Sequence, residues 1–268
     1  MYEWFITERL GQLPVTERWL CSRLTQESRM SLQVERPLHK HPNYLICSLY
    51  SDIIAPVLEH SAVVTLEPGI VLYESGAQVE HVYFPHGGMI SLLVVMQNGK
   101  AIETATVGRE GVVGAMAGLG LYTSIVRAEV QLPMAATKIA AARFRQAVAA
   151  SPEIEHLCIA FNEVLLSQAR VTAACNALHP VDARFCRWLL QSADRAESST
   201  VGLTQKLLSE MLGVRRTSVA DVSGKLQRDG VIAVTRGLIH ILDRAALEGL
   251  ACECYRSLIH QSVAVQAP

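Results

Sequence analysis

Between Gln205 and Gly224 the chain reads QKLLSEMLGVRRTSVADVSG, and nearly every position suits two short helices crossing at close range. Gly213 falls where the turn between them needs a left-handed backbone, which a residue without Cβ adopts at little cost. Leu208, Leu212, Val214, Val219 and Val222 fall where both helices face a shared core, and Ser209 is small where the second helix must come near. Left on the outer face of the second helix are Arg215, Arg216, Thr217, Ser218, Asp221 and Lys225. A face of that chemistry fits the major groove of DNA, where it can meet phosphates and base edges. An ordinary helical hairpin could also carry a glycine turn and an apolar face, but it has no need of so many agreeing positions.

The surroundings bound what such a motif can belong to. With 268 residues the chain has room for about two domains, and with half of them hydrophobic it can bury a sizeable core. The formal net charge of −1 does not argue against nucleic acid, because a binding patch need only be local. From Thr204 to Leu242 there are six basic residues against three acidic ones. That bias is too small for a non-specific DNA coater. No apolar run reaches the ~20 residues of a membrane span, and the start, MYEWFITERL, lacks the pattern of a signal peptide. Seven scattered cysteines, an odd number, suggest free thiols in a reducing cytoplasm.

Residues 1–42 read as an extension of helical character, with Val15, Trp19 and Leu24 near one face and Pro37 and Pro42 as breaks. From Tyr44 to about Ile139 short β-branched runs alternate with turn signals, which predicts strands and a small barrel or jelly roll over 43–150. Asn98-Gly99 inside ISLLVVMQNGKAIETATV predicts a hairpin with a two-residue turn. After Pro152 the period changes. Ile154, Phe161, Gln168 and Cys175 recur every seven residues, and so do Leu157, Val164, Val171 and Leu178. That spacing predicts a helix over 151–179, roughly 40 Å long, that pairs with a second copy along this seam. A long helix buried against its own domain would show the same stripe. His179-Pro180 ends it, and 180–258 should hold the paired helices, a wing hairpin turning at Arg236-Gly237, and a final helix from Ala245 to about Leu258.

The order of these parts, an α+β chain with an N-terminal β-roll, a long dimerisation helix and a C-terminal winged helix-turn-helix, resembles the Crp/Fnr family of bacterial transcription regulators. VYFPHGGMISLL, VGREGVVG, the long helix before His179-Pro180 and LTQKLLSEMLGVRRTSV carry the resemblance. It implies a cytoplasmic homodimer that reads two half-sites of double-stranded DNA through Arg215, Arg216, Thr217, Ser218, Asp221, Lys225 and Arg236, works with RNA polymerase and answers to an effector. The alternative is a ligand-binding signalling module whose winged domain binds protein. Members that bind cyclic nucleotides carry a Gly-Glu pair and, about ten residues later, an Arg-Ser or Arg-Thr pair. Here Gly114 is followed by Ala115, the later position reads Tyr122-Thr123, and Arg127 is displaced onto a strand. The nearest equivalents of an effector pocket are Gly108, Glu110, Gly111, Tyr122, Thr123 and Arg127, and cyclic AMP is not expected there. In the best-known members a glutamate follows the reading arginine, whereas Thr217 follows Arg216 here, which implies a different operator.

Other chemistry is thinly represented. The pair in Cys252-Glu253-Cys254 is too tight for the usual zinc knuckle, and no second pair lies nearby in sequence, so two helix cysteines, one of them buried, are expected and neither metal nor cofactor. Only Cys21 and Cys47 lie in the first half, too few for the N-terminal iron–sulfur centre of oxygen-sensing members. His81 and His86 flank a strand without the spacing of a metal motif, GREG at Gly108–Gly111 reads as a turn, and no nucleophile elbow or P-loop is present. Nothing in the sequence supports catalysis.

Overall fold

The computed structural model describes residues 41–49 and 51–264, so the helical reading of the first forty residues lies outside the described part. The described part opens with two helices, α1 (Tyr44–Ser48) and α2 (Ser51–Glu59), where strands were expected. The cause is local. The Asn43 side chain accepts from the Leu45 and Ile46 amides, capping a short apolar run that could form either structure. Its amide also donates to the carbonyls of Pro85 and Gly111, which ties α1 to the β-roll.

Seven strands follow: β1 (Ser61–Leu66), β2 (Val71–Tyr73), β3 (His81–Pro85), β4 (Met89–Val95), β5 (Ala101–Val107), β6 (Arg127–Leu132) and β7 (Met134–Ala140). They form two antiparallel sheets, ordered β1-β7-β3 and β2-β6-β4-β5. Val82, Phe84 and Ile139 from the first sheet share one core with Ile90, Ala105 and Val130 from the second. The β4–β5 connection is a three-residue loop, since the Met96 amide donates to Lys100 and only Gly99 takes positive φ. Asn98 stays out of the left-handed region, and the two-residue turn expected there gives way to a type of loop that places a single glycine at its end.

Helix α3 (Ala141–Ala150) leads into the long helix α4 (Pro152–Leu178). Ser151 caps α4 by accepting from the Ile154 amide, and Pro152 follows in the first turn, where its missing N–H costs nothing. The stripe expected to meet a second copy faces inward instead. Ile154, Leu157, Phe161 and Val164 complete the core of the β-roll, and the Gln168 side chain accepts from the Thr106 amide at 3.1 Å. Cys175 packs with Cys252 and Cys254, and half-buried Val171 leans on the same group. Of the eight seam residues only Leu178, 77% exposed, is free to meet a partner. The wider apolar stripe serves the protomer's own core.

The C-terminal part comprises α5 (Val181–Ala196), β8 (Thr200–Gly202), α6 (Gln205–Leu212), α7 (Arg216–Arg228), β9 (Ile232–Thr235), β10 (Leu238–Ile241), α8 (Arg244–Leu250) and α9 (Cys254–Ala264). Its three strands run in the order β8-β10-β9, with the wing turning at Arg236 and Gly237, both at positive φ as a two-residue hairpin turn requires. The final helix expected from Ala245 is two helices, broken between Leu250 and Cys254 where Ala251 is extended and Cys252 turns inward.

Candidate functional site

The helix pair is built as its sequence predicts. The Thr204 hydroxyl caps α6 by accepting from the Leu207 amide. Gly213 ends it at φ 64°, and the amides of Gly213 and Val214 return to the carbonyls of Glu210 and Ser209, a Schellman closure. A Cβ on Gly213 would lie 3.0 Å from Ile102 Cδ1 of β5, so a side chain there would strain the left-handed turn and also press on that isoleucine. Leu208, Leu212 and Val219 are buried and Val222 half-buried, as the shared core demands. One contributor is not legible from the motif itself: buried Arg184 of α5 donates to the Leu212 carbonyl, placing a cation on the negative end of α6.

On the outer surface Arg215 occupies the cap position of α7, with Arg216 and Thr217 exposed in its first turn and Ser218 half-buried. Thr217, Asp221 and Lys225 are exposed and four residues apart, so they form one stripe along the helix. Arg236 is exposed at the wing turn. Among the described residues none of Arg215, Arg216, Lys225 or Arg236 enters an ion pair, which leaves four cations for an anionic partner.

A second feature lies in the β-roll. A cavity of about 490 Å³ opens between its strands, the loop 121–126 and the long helix α4. Leu92, Thr104, Val113 and Ala115 line one side and Phe161, Asn162 and Leu165 the other, and among the described residues no charged side chain lines it. Of the six positions expected at an effector pocket only Thr123 is there. Glu110 is turned away, holding the Gly108 amide and pairing with Arg195 of α5 at 2.5 Å. Gly111 lies under the Phe161 ring, so close that a Cβ would fall 2.2 Å from it. Tyr122 lies beneath the Arg145 guanidinium, whose Cζ is 4.3 Å from the ring centroid, and Arg127 donates to Glu74 at 2.8 Å with Glu129 nearby. Each of these charges is satisfied elsewhere, which is why none reaches the cavity.

The wall of the cavity is also the seat of the C-terminal part. Leu93, Ala101 and Met89 pack into the core formed by α5, α6 and α7. Glu103 of β5 is buried there, accepting from Trp188 Nε1 at 2.8 Å and from the Ser91 hydroxyl at 2.5 Å. Burial pushes its carboxyl above the usual range, against the pull of those two bonds and of Arg187 and Arg195.

Two family models match the chain: a cyclic nucleotide-binding domain over residues 63–151 and a Crp-like helix-turn-helix domain over residues 183–250. It belongs to the Crp/Fnr regulators. These are transcription regulators, not enzymes. No curated protein matches this Crp/Fnr chain by sequence. Among solved structures, the c-di-GMP responsive global regulator CLP of Xanthomonas campestris aligns at 18% identity over 71% of this chain and 98% of its own, with a TM-score of 0.58. FixK2 of Bradyrhizobium japonicum gives 16%, 72% and 98%, with a TM-score of 0.60. A CRP-family transcriptional regulator from Thermus thermophilus gives 21%, 70% and 96%, with a TM-score of 0.59. Identities this low speak for the fold alone. Among the described residues no helix is long and apolar enough to cross a membrane.

Of the two cysteines near the C-terminus, both are buried and not one. Cys252 and Cys254 sit at the break between α8 and α9, against Cys175 and His179 at the end of α4. The missing second pair lies 77 residues upstream, too far for any spacing rule to connect.

Proposed function

We propose that this Crp/Fnr regulator acts as a homodimer whose α7 helices enter successive major grooves, and whose β-roll answers to a small neutral effector. The observation that carries the DNA reading is the unpaired basic face on α7 and the wing. In the major groove Arg216 can take guanine O6 and N7 together, while Lys225 and Arg236 suit phosphates. Asp221 would accept from cytosine N4. Replacing Arg216 with alanine should therefore cost about 1–3 kcal/mol on the specific site and much less on random DNA. Equal losses on both, measured by fluorescence anisotropy, would reduce Arg216 to a phosphate contact. Selection of bound sequences from a random pool, with and without cell extract, tests the reading as a whole. A palindromic site with half-sites about one helical turn apart is the expected result. A winged domain that binds protein would select nothing.

Pairing is assigned to the face of α4 that the core leaves free. Ile159 and Leu166 are 52% and 42% exposed and recur seven residues apart, with Ala173 next in line. This is a second seam, narrower than the one buried in the β-roll. Because α4 also walls the cavity, an effector that contacts Asn162 or Leu165 acts directly on the pairing helix. The opposite wall, β4 and β5, carries the contacts to α5 and α6. Binding there would shift the population between two placements of the C-terminal part, by as much as the effector's affinities for them differ.

The uncharged lining decides the class of effector. A cyclic phosphate buried without a cation loses its hydration and gains nothing in return. The same argument weighs against c-di-GMP, the signal named for the X. campestris protein, which carries two phosphates. Calorimetry with cyclic AMP and cyclic GMP should show no binding tighter than about 100 μM, near −5.5 kcal/mol. A micromolar constant would return the cavity to the nucleotides, and its loss in Arg127→Ala would locate the missing cation.

A further inference from the structure

We propose that Cys175, His179, Cys252 and Cys254 bind one thiophilic divalent cation, zinc by geometry, and that this ion fastens the end of α4 to the start of α9. The site goes beyond the regulator reading and stands without it. The four potential ligand atoms all lie within 4.8 Å of one another. Cys175 Sγ is 3.6 Å from Cys252 Sγ, and Cys254 Sγ is 3.6 Å from His179 Nδ1. With Zn–S of ~2.3 Å and Zn–N of ~2.0–2.1 Å, a tetrahedral ion sets its ligand atoms ~3.5–3.8 Å apart. The two close pairs thus already stand at the edge length of that tetrahedron, and the others need to draw in by about an ångström or less.

The surroundings are those of a metal site and not of a thiol cluster alone. His179 Nε2 lies 3.1 Å from Glu253 Oε1. A carboxylate accepting from Nε2 fixes the tautomer whose Nδ1 lone pair faces the sulfurs, the outer-shell arrangement found around metal-bound histidines. A disulfide between Cys175 and Cys252 would give that carboxylate and Cys254 no role. An iron–sulfur cluster needs its ligands further apart than a single ion does. Cys175 and His179 are one helical turn apart on α4, and Cys252 and Cys254 meet them from the break before α9, which explains a helix interruption that no proline causes.

Charge is balanced too. Three thiolates around a divalent ion leave one negative charge, after three thiol protons pass to solvent. Buried Arg184 and Arg187 both act electrostatically on Cys175, and the Nε of each has no hydrogen-bond partner among the described residues.

The test uses the full chain, purified in reducing buffer without chelator, loaded with zinc chloride and dialysed. Mass spectrometry of the metal should give one zinc per chain, and replacement by cobalt should give the strong visible bands of a tetrahedral, sulfur-bound ion. Cys252→Ser with Cys254→Ser should lose both signals. Because those side chains are buried, Glu253→Gln supplies the arm that spares the fold, its side chain being 78% exposed. It should weaken zinc binding about 10–100-fold, measured by competition with a chromogenic chelator, with an unchanged circular dichroism spectrum. Substoichiometric zinc in the unsubstituted protein, zinc retained by the double variant, an octahedral cobalt spectrum, or unchanged affinity in Glu253→Gln would each overturn the assignment.

Discussion

Replacing Ile159 and Leu166 together with glutamate should leave the protomer folded, convert dimers to monomers, and cut operator affinity by about 10²–10⁴-fold. Each protomer would bring two carboxylates to a desolvated seam, so four like charges would meet where water is excluded. The loss on DNA follows because a monomer holds a single half-site and forfeits the effective concentration that the second provides. Both side chains are exposed in the protomer, so the thermal midpoint should stay near that of the unsubstituted chain wherever dimerisation adds little. The control is the other stripe. Phe161 and Val164 are buried in the β-roll core, so glutamates there should unfold the domain, and Phe161→Ala alone should cost about 3–5 kcal/mol. Sedimentation velocity separates the cases: folded monomers from the first pair, unfolded chain from the second. Folded dimers persisting at micromolar concentration with glutamates at 159 and 166 would move the interface off this face of α4.

That contrast shows what a heptad pattern can and cannot say. A helix sandwiched between its own domain and a partner carries two apolar stripes, and periodicity finds the wider without telling which surface it serves. The stripe through Ile154, Phe161 and Cys175 is the wider because a β-roll core demands more apolar area than a two-helix seam. The helix-turn-helix is legible because most of its determinants are local, a glycine at Gly213 and apolar residues at helical spacing, whereas the Arg184 contact to its first helix comes from outside the motif. The loop at Asn98-Gly99 is one residue longer than the expected turn, since Asn-Gly suits two turn types and only the pairing of Met96 with Lys100 chooses between them. The cavity is harder to read from sequence. Glu110 and Arg127 are charged and stand out, yet they pair with Arg195 and Glu74, while the cavity is lined by uncharged residues that leave no motif. What remained hidden rests on distant pairs, such as Cys175 with Cys252 and Glu103 with Trp188, 77 and 85 residues apart.

The last of these pairs governs how the two halves hold together and predicts a pH signature. The Glu103 carboxyl sits where β5 meets α5, and burial raises its proton affinity above that of an unfolded chain. The native state therefore binds more protons in the interval between the ordinary carboxylate value and the raised one, and stability falls as pH rises through that interval. Glutamine has the same shape and never ionises. Its carbonyl can accept from Trp188 Nε1 and its amide can donate to the Ser91 hydroxyl, so both partners stay satisfied. Glu103→Gln should thus match the unsubstituted protein in acid and exceed it progressively as pH rises, a difference read from urea unfolding at a series of pH values. Glu103→Ala is the opposite case. It empties a buried site and leaves an indole N–H and a hydroxyl without acceptor or donor, at a cost of about 2–4 kcal/mol. If glutamine proved as damaging as alanine, the carboxylate would be charged in the fold, held by Arg187 and Arg195, and stability would then rise with pH. The direction of that slope decides between a neutral bridge and an ionic one at the joint between cavity and DNA-reading helices.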